Sequence, residues 1–170
     1  ANPVREDLEE AGKMTGLGFI VNVVQDERKR IVNSYAGDAI AAQRAAIKTV
    51  DDLVKVPVRE SADIVVASAG GYPRDINLYQ AHKAIENASH AVKAGGTIML
   101  IAECGEGFAN MKFKDWMTNA TSLDEIKEKL SKQFVLGAHK AYALSKIARQ
   151  AEIIVASTKF QATSIVLKTC

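Results

Sequence analysis

An α/β fold, with a mixed and mainly parallel sheet flanked by helices and an antiparallel N-terminal hairpin, follows from three features of this chain. Short apolar runs at residues 63–68 and 97–102 read as strands of a buried parallel sheet. The stretch between them is helical in pattern, which makes a strand–helix–strand unit, parallel and right-handed. Two β-rich runs, 19–24 and 31–35, are separated only by the charged segment 25–30, and this reads as a hairpin with an exposed loop.

The remaining elements follow in order. Asn2-Pro3 reads as an N-cap with proline at the first helical position, opening a helix that runs to about Gly16. Gly37-Asp38 opens a second helix, whose Ile40, Ile47, Val50 and Val54 fall on one face, with Pro57 beyond its end. The helix between the two apolar strands is predicted from Asp75 to about Lys93, stopped by Gly95-Gly96. Residues 103–107 form a loop at the carboxyl end of the second apolar strand, and a short helix follows around 113–117. Ser122-Leu123-Asp124-Glu125 is a capping box, and Glu125/Lys129 and Glu128/Lys132 mark a solvated helix face behind it. Another helix is predicted over 138–149, then two closing strands over 152–156 and 164–168. With no repeat, low-complexity stretch or linker, 1–170 reads as a single α/β domain.

Bulk composition excludes several classes of function. The 170 residues suffice for a real core, and 22 basic against 20 acidic residues leave a net charge of +2. That balance gives no reason to expect nucleic acid or an anionic membrane as partner. No apolar run reaches the ~20 residues of a membrane helix. Cys104 and Cys170 are far apart and fit no zinc spacing, so a reduced, cytoplasmic protein is expected. The chain starts at Ala1, directly before a helix-start signal, as a piece of a longer protein would.

The segment from Ala67 to Lys83 carries the most chemistry. A strand ends in Gly70-Gly71 and Pro73, and a helix follows with Tyr79, Gln80 and Lys83. Open α/β sheets bind ligands at this pole, beyond the carboxyl ends of their strands. Gln80 and Lys83, three apart, project from one side of the helix. Facing a cleft, they would offer a positive charge and an amide to a small carboxylate, or to an oxygen that gains charge in reaction. On spacing alone an ordinary solvated Lys/Gln pair is the commoner outcome. Gly70 and Gly71 suit either close backbone approach to a ligand or a turn with positive φ. No GxGxxG follows the strand and there is no P-loop. Glu103 and Glu106 read as solvated loop carboxylates, Cys104 as a small buried residue, and Phe113 and Trp116 as core. His82 and His90 are eight apart and His139 opens the last long helix, so no metal site is expected.

The run Ser68-Ala69-Gly70-Gly71-Tyr72-Pro73-Arg74-Asp75-Ile76-Asn77-Leu78-Tyr79-Gln80 resembles the lactate racemase family, the nickel-pincer-nucleotide 2-hydroxy acid racemases and epimerases. So do Asn2-Pro3-Val4-Arg5-Glu6-Asp7, Ala36-Gly37-Asp38, Ala102-Glu103-Cys104 and Gly137-Ala138-His139-Lys140, all in the family's order. The resemblance covers the carboxyl-terminal lobe of a larger two-domain enzyme. It implies that the substrate is a small 2-hydroxy acid and that the partner is an amino-terminal domain of the same polypeptide. That domain would hold most of the nickel-pincer nucleotide, together with the acid/base histidines and a tethering lysine. The implied reaction passes a hydride from the α-carbon to the cofactor and returns it on either face of a 2-keto acid. By motif the family's catalytic glutamine and lysine match Gln80 and Lys83. These two would also hold substrate, together with Tyr79 and, near the Gly-His-Lys run, Tyr142. The resemblance implies that this lobe is inactive alone.

Two readings from other classes compete. A free-standing α/β domain for a nucleotide or methyl donor would suit the strand around 97–100, although the glycine fingerprint is missing. A scaffold domain without a ligand would show a large exposed apolar stripe, and none is legible.

Overall fold

The computed structural model describes residues 3–120 and 122–160. The second closing strand expected over 164–168, and Cys170, lie outside the described residues. The chain divides into two compact units, 1–57 and 58–170, where the sequence reads as one domain. Each unit carries its own sheet, and the junction after Pro57 has none of the glycine or serine richness that marks a linker.

The first unit contains α1 (Pro3–Met14), β1 (Ile20–Gln25), β2 (Ile31–Gly37) and α2 (Ala39–Val54). β1 and β2 pair antiparallel, as the hairpin signal requires. Asp26 closes the turn: Oδ1 accepts from the Arg28 and Arg30 amides and Oδ2 pairs with the Arg30 side chain. These bonds hold the Asp26 carboxyl below its ordinary pKa, the Arg30 amide first. Asp38 caps α2 by accepting from the Ile40 and Ala41 amides at 3.1 and 2.8 Å. Tyr35 Oη bonds Thr49 Oγ1, tying the hairpin to α2. The residues of α2 that are buried are Ala42 and Ala46, whereas Ile47, Val50 and Val54 of the expected apolar face stay exposed. The small residues win the contact because the helix lies close upon the hairpin, a position that a branched side chain would hold off.

The second unit contains β3 (Ala62–Ser68), α3 (Leu78–Ala88), β4 (Val92–Ile101), α4 (Met111–Asn119), α5 (Leu123–Lys132), α6 (Ala138–Ala148) and β5 (Glu152–Ala156). The sheet order is β3-β4-β5 and both pairings are parallel. Register places Val65 beside Ile98 and Ile153, and Ala67 beside Leu100 and Val155. This face packs with Leu78, Ala81 and Ile85 of α3, Phe113 of α4 and Leu144 of α6 into one core. Each large side chain buried there contributes about 1.5–3 kcal/mol of transfer free energy. The other face leaves Ile64 and Val66 63% and 59% exposed, so the sheet expected to be covered on both faces is covered on one among the described residues.

Two boundaries differ from the sequence reading. Helix α3 starts at Leu78, not Asp75, because the carbonyls of Asp75 and Ile76 and the amide of Leu78 are bonded to the loop after β4. It ends at Ala88, and β4 already begins at Val92. Gly95-Gly96 therefore sits inside a strand instead of stopping a helix. The pairing slips there, with Ala62 opposite Val92 and Ile64 opposite Thr97. A Cβ on Gly96 would stand 2.6 Å from the Asp63 carbonyl oxygen, so the bulge demands glycine.

Candidate functional site

The segment between β3 and α3 is held by the loops at the same pole of the sheet. Gly70 and Gly71, at φ +88° and +73°, turn the chain out of β3. The Arg74 amide then donates to the Gly71 carbonyl at 2.8 Å. Three backbone bonds join this segment to the loop after β4: Cys104 N to Asp75 O at 2.8 Å, Glu106 N to Ile76 O at 2.9 Å, and Leu78 N to Gly107 O at 2.8 Å. Asn77, which is buried, links the two by side chain: Nδ2 donates to Glu106 Oε2 at 2.9 Å and Oδ1 accepts from the Gln80 amide at 3.0 Å. Ser157 Oγ, beyond β5, donates to the Glu103 carbonyl at 2.6 Å. The start of α3 is thus fixed from three strand ends, and the side chains of its first turn are fixed with it.

Gln80 and Lys83 are brought together by this frame. Lys83 Nζ donates to Gln80 Oε1 at 3.1 Å. The amide oxygen is thereby occupied, and the Gln80 NH₂ is left as a donor. Both residues line a recess of about 360 Å³ that also contains Ser68, Arg74 and Asn87. Helix α3 begins three residues later than the sequence reading, so Tyr79, Gln80 and Lys83 belong to its first two turns, close to the strand ends. The recess holds two cationic side chains and no carboxylate. Among the described residues neither Arg74 nor Lys83 forms an ion pair. The chemistry of this lining suits an anion, with amide and hydroxyl donors around the two cations.

Tyr79 turns the other way. Its ring lies edge-on to Phe113 with centroids 5.8 Å apart, and Lys140 Nζ stands 3.6 Å from its centroid. The same ammonium donates to the Tyr79 carbonyl at 3.1 Å. Burial, then the charge of Lys83, lowers the Lys140 pKa from its ordinary value. His82, 3% exposed, shares that carbonyl through Nδ1 at 2.8 Å. Burial and then Lys140 push the His82 imidazole down to about 4, so it is neutral near pH 7. Glu86 Oε2 lies 3.7 Å from His82 Nε2, but the neutral ring makes this a dipolar contact rather than an ion pair. Tyr142 lines a separate recess with Glu86, His90 and Lys146.

The other candidates are placed as follows. Cys104 is fully buried, and burial followed by the Asp75 charge pushes its thiol up to about 11, which suits packing and not nucleophilic attack. His139 stacks on Phe134 and accepts from the Gly137 amide through Nδ1. No three His, Cys, Asp or Glu side chains among the described residues are grouped to hold a metal. Sequence reasoning passed over Arg74 and Lys140 as site residues. Arg74 stood inside the quoted motif, six residues before Gln80, and that was the available signal. Lys140 also stood in a quoted run, Gly137-Ala138-His139-Lys140, but its contact with Tyr79, 61 residues away, follows from no local pattern.

The family described as "Lactate racemase C-terminal domain" matches residues 58–168. The chain belongs to that family. A curated lactate racemase from Thermoanaerobacterium thermosaccharolyticum is 36% identical over 129 residues, which are 76% of this chain and 30% of that protein. One from Lactiplantibacillus plantarum is 38% identical over 127 residues, 75% of this chain and 29% of that protein. The matches thus span under a third of each of these relatives. The solved lactate racemase apoprotein of T. thermosaccharolyticum superposes with a TM-score of 0.88 at 30% identity, covering 99% of this chain and 42% of its own. The mixed α/β architecture, with parallel sheet and N-terminal hairpin, is the one this lactate racemase has.

Proposed function

We propose that this chain is the carboxyl-terminal lobe of a cytoplasmic two-domain enzyme that interconverts the stereoisomers of a 2-hydroxy acid, and that it holds the substrate while the amino-terminal domain supplies the cofactor. The observation that carries the proposal is the acid-free recess in which Lys83 and Gln80 are hydrogen-bonded to each other, in a chain of the lactate racemase family.

Among the described residues no cluster of His, Cys, Asp or Glu is grouped to hold a metal. In this proposal the other domain would hold a nickel-pincer nucleotide, which would supply a hydride acceptor for the α-hydrogen when bound. The lobe's own work is positional. Lys83 pairs with the carboxylate as a point charge and the Gln80 NH₂ donates to a neighbouring oxygen. Racemisation needs a substrate anchored by its unreacting end while its α-carbon becomes planar, and two directional donors on one rigid helix turn meet that need. Tyr79 enters the proposal by resemblance, since its ring turns away from the recess onto Phe113 and Lys140. Tyr142 enters the proposal by resemblance alone, since its recess contains Glu86 and His90 rather than Gln80 and Lys83.

The test is made on the full-length protein that carries this lobe, loaded with cofactor. Optical rotation of L-lactate and of other 2-hydroxy acids is followed to equilibrium. Loss of rotation with at least one acid, absent when either domain is omitted, is the expected result. A loaded protein that racemises none of them removes the proposal.

A further inference from the structure

We infer that Arg74 is a second anion-binding residue of this recess, gripping the carboxylate of the bound acid alongside Lys83. The inference rests on the reading of the recess as a 2-hydroxy acid site and adds a residue to it.

Charge balance is the first observation. Four other recesses of the structure each carry at least one carboxylate: Glu9 and Asp38, Asp26 and Glu27, Glu86, and Glu106. The Arg74–Lys83 recess carries none. Some basic side chains near the surface have acidic partners, as Arg44 has Glu9 and Lys93 has Asp63, whereas the two that share this recess have none among the described residues. Two cations lining one recess repel each other without an acid between them, and a bound anion relieves that cost.

Geometry is the second observation. The Arg74 side chain folds back across Gly70, with Nη1 3.1 Å from where a Cβ on that residue would stand. The missing side chain at Gly70 leaves room for the guanidinium of Arg74, which lines the recess. The backbone beneath it is anchored by the Arg74 amide on Gly71, and the next residues are bonded to the loop after β4. The stem of Arg74 therefore starts from a fixed point, and ordering its head on a ligand costs correspondingly less entropy.

Chemistry divides the work. A guanidinium presents a planar fork that matches both oxygens of a carboxylate, and an ammonium is a compact point charge. Arg74, Lys83 and the Gln80 NH₂ together provide donors for a carboxylate and for the adjoining hydroxyl oxygen of a 2-hydroxy acid. A neutral analogue of the same shape would gain from the amide and lose the fork.

Calorimetry on the full-length protein tests this, with sodium lactate and the uncharged lactamide as probes. Arg74→Ala is expected to weaken lactate binding about tenfold or more while changing lactamide less than about twofold. Arg74→Lys, which keeps the charge and loses the fork, is expected to recover less than half of that loss on a logarithmic scale. Lactate affinity unchanged in Arg74→Ala overturns the inference. So does an equal loss for lactate and lactamide, which would make Arg74 a structural clamp on the loop or on the other lobe. A wild-type protein that binds no lactate overturns it as well. The failure of the broader proposal reads differently: lactate bound through Arg74 without racemisation by the loaded enzyme leaves this inference standing and removes the activity. Racemisation with an unchanged KM in Arg74→Ala does the reverse.

Discussion

Lys83 and Lys140 meet adjacent residues of helix α3 and are used in opposite ways. Lys83 is exposed, touches one amide oxygen, and shares its recess with another cation and no acid. Lys140 is half-buried, sits over the Tyr79 ring and donates to the Tyr79 carbonyl, with His82 on the same oxygen. One ammonium has been left unneutralised where a ligand can reach it. The other is spent on fixing the helix turn that carries its counterpart. Under the proposed function the comparison separates a group placed to meet substrate from groups that hold it still, and the two kinds should fail differently when changed.

The largest separation is expected on the ligand side. Lys83→Ala in the full-length loaded enzyme should cost about 2–4 kcal/mol of transition-state stabilisation, roughly a 30- to 1000-fold loss of kcat/KM. Thermal stability should barely move, because the side chain is exposed and makes one hydrogen bond. Steady-state racemisation rates and a melting curve on the same sample check both halves. Full activity in the Lys83→Ala, Gln80→Ala double variant would remove their assigned roles.

The packed side should show the opposite profile. Phe113 is fully buried and meets the Tyr79 ring edge-on. Phe113→Ala leaves a cavity and should destabilise the fold by about 3–5 kcal/mol. Chemical denaturation measures it. Any loss of activity in this variant should recover at lower temperature, where the folded population is restored, whereas the loss in Lys83→Ala should not. A Phe113→Ala protein as stable as wild type would show that the Tyr79 cluster is not part of the core.

Much of this arrangement was legible in the sequence, for identifiable reasons. The hairpin was legible because its two β-rich runs flank a charged loop, and the α5 cap because Ser122 and Glu125 stand at capping-box spacing; Ser122 Oγ does accept from the Glu125 amide, at 3.2 Å. Residues three apart on a helix share a side, so Gln80 and Lys83 could be paired before any coordinates. The start of α3 was misplaced because the carbonyls of Asp75 and Ile76 and the amide of Leu78 bond to the remote loop after β4, which no local pattern encodes. Gly95-Gly96 was misread for a similar reason: glycine ends helices and also permits bulges, and the neighbour that decides, the Asp63 carbonyl, is remote in sequence. The apolar stripe of α2 misled in another way, because periodicity reports where apolar residues lie and not which of them the partner surface reaches.

The smallest effect sharpens the role of Lys140, and it is read through His82. With a folded pKa of about 4 against the ordinary 6.5, the buried imidazole binds fewer protons in the native state than in the unfolded chain. Its contribution is therefore fully present above pH 6.5 and is lost as the pH falls toward 4, to an upper bound of about 3 kcal/mol. Burial is the first cause of the shift and Lys140 the second. Lys140→Met keeps most of the packing on the Tyr79 ring and deletes the charge. It should cost about 1 kcal/mol at pH 7 from the lost cation–π contact and hydrogen bond. It should also raise the His82 pKa part of the way back, so that stability declines over a narrower and less deep acid range. Imidazole titration by NMR, beside denaturation at pH 7 and pH 5, reads both quantities. If His82 titrates identically in the two proteins, the ammonium over Tyr79 acts on the ring and the carbonyl alone, and the electrostatic link between the two flanks of α3 is gone.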